Sequence, residues 1–134
     1  MEGRCLCKAV TVITAEHSEI GACHCGTCRT WTGGAPRFSM SCGSDVQFLG
    51  QEHISRFKSS ALAERGFCKH CGTHIYYHFL PQNNYIISAG LFADSEHFNL
   101  NIQVFIDKKP RYYTLANQTP TLTEQQIIER YSKL

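Results

Sequence analysis

Eight cysteines, seven of them in three short clusters, constrain this chain more than any other feature of its 134 residues. The clusters are Cys5-x-Cys7, Cys23-x-Cys25-x-x-Cys28 and Cys68-x-x-Cys71, with Cys42 standing apart. Disulfide frameworks belong to exported chains. The opening Met-Glu-Gly-Arg-Cys lacks the apolar core of a signal peptide. A bridge across one or two residues also closes too small a loop to constrain much. A Cys-x-x-Cys turn, by contrast, aims two thiolates at one cation about 2.3 Å from each sulfur. Metal binding is therefore the expectation, with structural disulfides or redox chemistry as the alternative. The expected location is cytoplasmic.

Soft thiolate sets select zinc or iron–sulfur centres. No cluster has the four-cysteine run of a ferredoxin, so zinc is the expected ion. Two pairs make a closed site of four thiolates, the usual structural arrangement, whereas three ligands with one open position is the pattern of a catalytic zinc. Spacing alone does not say which pairs share an ion. The simplest partition puts Cys5, Cys7, Cys68 and Cys71 together and leaves Cys23, Cys25 and Cys28 as a second set. Cys42 reads as a small buried hydrophobe. The alternative makes it a fourth ligand that closes the second site.

The rest of the chain reads as one domain over residues 1–134. Hydrophobic residues at 43% and charged residues at 18% exclude a disordered chain and a coiled coil. A net charge of +2 with scattered Lys and Arg argues against a nucleic-acid partner. No apolar run is long enough to cross a membrane as a helix. Short β-branched and aromatic runs between turn signals predict strands. They fall at 10–13, 37–40, 46–49, 53–57, 74–80, 85–89, 102–106 and 111–114, so the fold class is β-rich. About 16 positions separate Cys7 from Cys23, enough for a hairpin that would bring the first two clusters near one another. A single helical turn is expected near Gly26–Trp31, closed by Gly33 and Gly34. Thr123-Glu-Gln-Gln126 is a capping box, and Ile127, Ile128, Tyr131 and Leu134 follow at helical spacing. They predict a C-terminal helix over about 123–134 that docks on the core, a partner-binding helix being the alternative. In Cys68-Lys-His-Cys71-Gly72 the glycine suits a positive φ after the second ligand.

Gly3-Arg-Cys5-Leu-Cys7-Lys-Ala-Val10, Cys23-His-Cys25-Gly-Thr-Cys28-Arg29, Thr32-Gly33 and Phe67-Cys68-Lys-His-Cys71-Gly72-Thr73 resemble the glutathione-dependent formaldehyde-activating enzyme family, also called the centromere protein V/formaldehyde-activating domain. The resemblance covers about residues 2–115 and includes Val104-Phe-Ile-Asp107 as a closing strand and turn. It implies a mainly antiparallel β-tent fold stabilised by zinc. It implies a structural zinc on Cys5, Cys7, Cys68 and Cys71, and a catalytic zinc on Cys23, Cys25 and Cys28. The implied chemistry joins the thiol of glutathione to formaldehyde, and its reverse makes the enzyme a carbon–sulfur lyase. A glutathione-like thiol and a small aldehyde are the implied partners. The family pattern uses no ligand at Cys42.

Around the second set, Arg29 and Arg37 are candidates for a substrate carboxylate, since Arg commonly pairs with carboxylates, or for a solvated face. Trp31 and Phe38 with Gly33 and Gly34 are core packing or a pocket wall. His24, between two ligands, should point its ring away from the metal, with proton transfer as its alternative role. His70 is expected exposed, His74 and His78 are expected as satisfied sheet residues, and His17, His53 and His97 as surface residues. Two function classes remain: a zinc enzyme for thiol–aldehyde adducts, and a non-catalytic zinc-stabilised β module that binds a protein partner.

Overall fold

The computed structural model describes residues 1–132. Strands β1 (Glu2–Arg4), β2 (Thr11–Thr14) and β3 (Glu19–Cys23) lead into helix α1 (Gly26–Thr32). Then come β4 (Arg37–Ser41), β5 (Val46–Leu49), β6 (Ile54–Lys58), β7 (Ala63–Cys68), β8 (His74–Phe79), β9 (Asn84–Ser88) and β10 (Asn99–Val104). A short β11 (Thr121–Leu122) precedes α2 (Glu124–Ser132). The protein is β-rich and mostly antiparallel, with a short C-terminal helix. No described helix is long and apolar enough to cross a membrane.

The chain divides into two compact units. The first is Met1–Ser18 with Ser39–Phe98, and the second is Glu19–Phe38 with Asn99–Leu134. In the first unit, β1, β2 and β5 form a small antiparallel sheet. Strands β4, β9, β8, β7 and β6 follow one another in a second antiparallel run. Val12 on β2, Met40 on β4, Ile75 and Phe79 on β8 and Ile87 on β9 are buried here. Gly66 on β7 pairs with Tyr76 on β8, and a Cβ at Gly66 would lie 2.5 Å from the tyrosine ring. The close approach lets that ring lie over the neighbouring strand and meet Phe48 and Tyr85. In the second unit, β10 pairs in parallel with both β3 and β11.

Most expected strands are present within a residue or two. The 102–106 run starts earlier, at Asn99, and Ile106 belongs to a 3₁₀ turn instead. Residues 111–114 are not a strand. Lys109 Nζ donates to the carbonyls of Pro110 and Tyr113 and to Thr114 Oγ1, which curls that segment. The expected hairpin between the first two clusters does not form: β2 pairs with β1 and β5, while β3 pairs with β10. The capping box is present, with Thr123 Oγ1 accepting from the Gln126 N–H and Gln126 Oε1 from the Thr123 N–H. The apolar stripe is narrower than expected: Ile127 is buried, but Ile128 and Tyr131 are exposed. Leu134 lies outside the described residues. The helix is held instead by the Asp107 carboxylate on the Glu124 N–H and by the Lys108–Glu124 ion pair.

Candidate metal centres

All eight thiols are free, and seven of them gather into two groups. Cys5, Cys7, Cys68 and Cys71 form the first, their sulfurs within 4.8 Å of one another. Cys5 and Cys7 lie in the turn after β1, where the Cys5 N–H donates to the Val10 carbonyl and Lys8 takes a φ of 67°. Cys68 ends β7, and Gly72 at a φ of 77° turns the chain so that its N–H reaches the Cys68 carbonyl at 2.8 Å. The Sγ atoms of Cys5 and Cys7, and of Cys7 and Cys68, are 3.7 Å apart. A tetrahedral zinc with bonds of about 2.3 Å has sulfur–sulfur edges of about 3.8 Å. The four thiols therefore fit a closed zinc site.

Neighbouring donors reach two of these sulfurs, those of Cys5 and Cys71. The Val10 N–H points at Cys5 Sγ from 3.3 Å. Thr73 Oγ1 accepts from the Leu6 N–H at 3.1 Å and lies 3.1 Å from Cys71 Sγ. The Thr73 hydroxyl is the main reason the Cys71 thiol is pulled down to about 5. Such outer contacts orient metal ligands and share their charge.

The second group is Cys23, Cys25 and Cys28, again with sulfurs within 4.8 Å of one another. Cys23 is the last residue of β3, Cys25 is the N-cap of α1, and Cys28 is buried in its first turn. Cys25 has extended backbone angles, and its sulfur accepts the Cys28 N–H at 3.3 Å. The capping contact itself thus brings two sulfurs together. Gly33, at a φ of 86°, closes the helix. Arg37 Nε donates to Cys28 Sγ at 3.3 Å. The three thiols share their protons unequally. Hydrogen bonds from Cys23 and Cys25, with Arg37 beside them, hold Cys28 far below the ordinary thiol range. The contacts with Cys25 and Cys28, with burial, push Cys23 up. A dication is what lets all three ionise together, since each metal-bound thiol must lose its proton.

Cys42 joins neither group. It is buried, its S–H faces the Met40 carbonyl at 3.7 Å, and burial pushes the thiol up to about 11. His24 does turn its ring away from the cysteines, towards Gln103 at 2.8 Å and Tyr113 at 2.6 Å. Burial, with Lys109 and Arg29 nearby, keeps its imidazole below the usual range. Arg29 is engaged with backbone, donating from Nε to the His24 carbonyl and from Nη2 to the Lys108 carbonyl. Trp31 and Gly34 are half-buried and Gly33 is exposed. The Gly34 carbonyl accepts the Tyr112 hydroxyl. His70 lies in the knuckle against His53 at 2.9 Å. Gln103 and Tyr113 were not marked by any motif; only their type, a buried amide on an alternating strand and a tyrosine pair, hints at them.

Comparison with known proteins places the chain among relatives. Residues 1–108 match the family described as glutathione-dependent formaldehyde-activating enzyme. A Schizosaccharomyces pombe protein named an uncharacterized lyase is 37% identical over 134 residues, covering 98% of this chain and 97% of its own. A Rhodobacter sphaeroides protein solved by crystallography has the same fold, with a TM-score of 0.60 at 20% identity, over 70% of this chain and 89% of its own.

Proposed function

Because the chain belongs to the glutathione-dependent formaldehyde-activating enzyme family, we propose that it is a zinc-dependent carbon–sulfur lyase for adducts of glutathione, or a related thiol, with formaldehyde or another small aldehyde. The observation that carries this reading is the inequality of the two cysteine groups, four thiols in one and three in the other. Four thiolates complete a zinc's coordination, whereas three leave a position for a ligand from solution. Cys42 belongs to neither group, which disfavours the reading of the protein as a purely structural module.

Zinc at the second group would hold an incoming thiol as its thiolate and keep it nucleophilic. The chain's own residues prepare that event. Cys23, Cys25 and Cys28 supply three negative charges against a dication, a donor set better matched to a soft thiol than to ionising water. Arg37 offsets part of that charge at Cys28. Holding the thiol beside the aldehyde removes much of the entropy cost of their encounter. Arg29, Trp31, Gly33, Gly34 and Arg37 are the proposed contacts for the remainder of the thiol substrate, the two guanidiniums suiting its carboxylates. Eight free thiols suit a reducing compartment, and we place the protein in the cytoplasm on that ground.

Cobalt substitution tests the reading. Glutathione should alter the thiolate-to-cobalt charge-transfer bands of the loaded protein, and S-methylglutathione should not. Identical spectra with and without glutathione would remove the basis for the lyase assignment.

A further inference from the structure

His53 and His70 lie 17 positions apart in the chain, yet the backbone holds them side by side. His53 ends the 3₁₀ turn Gln51–His53, and its N–H donates to the Gly50 carbonyl at 2.9 Å. His70 sits in the knuckle between Cys68 and Cys71. The Lys69 N–H donates to the His53 carbonyl at 2.8 Å, and Ile54 pairs with Cys68 in the ladder of β6 and β7. The residue after His53 and the residue before His70 are therefore both fixed by main-chain pairing, and the two rings are set against each other by the fold.

The rings meet nitrogen to nitrogen. His53 Nδ1 and His70 Nε2 are 2.9 Å apart, with centroids at 4.8 Å and planes inclined at 55°. A neutral imidazole carries one proton, and each ring has a second nitrogen on which to keep it. For His53 that second nitrogen, Nε2, lies 3.3 Å from the Glu52 carboxylate. A metal-bound histidine is commonly arranged in this way, its outer N–H given to a carboxylate that fixes the ring and raises its basicity. His70 is exposed, so water serves its second nitrogen.

We propose that His53 and His70 form a further metal site, separate from both cysteine groups, which takes a zinc-like divalent ion on His53 Nδ1 and His70 Nε2, with Glu52 as a positioning residue and water in the remaining positions. Imidazole nitrogens suit zinc, nickel and copper, whereas magnesium and calcium take oxygen ligands. Two zinc–nitrogen bonds of about 2.0–2.1 Å at a tetrahedral angle need nitrogens about 3.3 Å apart. The rings must part by about 0.4 Å from their 2.9 Å contact, and His70 is exposed and has the room. The proton between the rings moves through water to the other nitrogen of the ring that carries it. Both imidazoles stay neutral, two waters leave the ion, and the outcome is the same whichever ring holds the proton at the start.

The test uses the full zinc-loaded chain with zinc as the probe, followed by equilibrium dialysis with elemental analysis and by nitrogen-15 histidine spectra. The parent should hold one zinc more than His53→Gln at the same free zinc, and added zinc should shift the His53 Nδ1 and His70 Nε2 resonances together. Calcium should shift neither. Glu52→Gln should bind that zinc about tenfold more weakly, the usual effect of losing an outer contact to a ligand. An equal zinc content in the parent and His53→Gln, or histidine resonances that zinc leaves unmoved, overturns the proposal. Should His53→Gln fail to fold, the spectra of the parent decide alone. The site needs no thiol substrate, so none of these results bears on the lyase reading, which the glutathione response of the cobalt-loaded protein tests by itself.

Discussion

Arg37 sets its Nε–H 3.3 Å from the Cys28 sulfur, and that one contact bears on how well Cys28 could serve a metal. A guanidinium beside a sulfur favours the thiolate and makes it a better partner for a cation. Arg37→Met keeps the length of the side chain and removes both charge and donor. It should weaken metal binding at the second group by about tenfold or more, the usual effect of losing an outer contact to a ligand. Competition with a chromogenic chelator would measure it, and the first group should be unchanged. Equal affinity in the two proteins would deny Arg37 this role. From sequence, Arg37 is one of two arginines near a cysteine cluster, and nothing local assigns it to a sulfur. The cysteines are different. Their spacing alone sorts seven of them into three clusters, because the sulfur positions within Cys-x-x-Cys follow from backbone geometry over a few residues, while the fold decides that the first cluster joins the third. Tyr113 meets His24 across 89 positions of chain, and no local pattern carries such a contact.

Strand β7, Ala63-Glu-Arg-Gly-Phe-Cys68, shows why some elements escape a reading by pattern. Its polar centre is buried: Arg65 is 4% exposed, its Nε on Ser59 Oγ and its guanidinium 5.0 Å from the Tyr77 ring. Gly66 beside it interrupts any alternation of side chains. Strand β3, Glu19-Ile-Gly-Ala-Cys23, is hidden in the same way by two small residues, and its pairing with β10 is parallel and distant in sequence. By contrast, the Cys68–Gly72 knuckle and the Thr123 capping box are local hydrogen-bond patterns, and both stand where they were expected. Gly66 gives the prediction at this scale. A methyl group there would enter the Tyr76 ring at 2.5 Å, across the pair that joins β7 to β8. Gly66→Ala should cost about 1–3 kcal/mol, the usual penalty for overpacking a filled site. Urea unfolding would show it as a lower midpoint with the same slope. A midpoint equal to the parent's would mean that the ring moves aside freely.

Each compact unit carries one cysteine group, and the two groups close loops of very different length. In the first unit the four thiols of one group come from residues 5–7 and 68–71; in the second, all three thiols come from six consecutive residues. Closing a long loop takes more entropy out of the unfolded chain than closing a short one, and metal affinity at such a site is also folding free energy. Cys68→Ser should therefore unfold the protein or make it insoluble, while Cys23→Ser should leave a folded chain with less metal. Elemental analysis with circular dichroism distinguishes these outcomes, and equal unfolding by both would refute the division of labour. Acid should act in the same direction through two routes. Protonation of the thiolates releases metal, so stability tied to the metal falls as pH falls. His74, at the start of β8, is held below its ordinary 6.5 by burial and then by Arg65. The unfolded chain takes up that proton first, so this contribution is present above about pH 6.5 and is lost as pH drops below it. Melting temperature should be nearly level from pH 8 to about 6.5 and then decline. His74→Gln should lessen the early part of that decline, and the remainder should coincide with zinc appearing in solution. A melting temperature that stays level to pH 5 while the zinc leaves would show that neither route governs the stability of this chain.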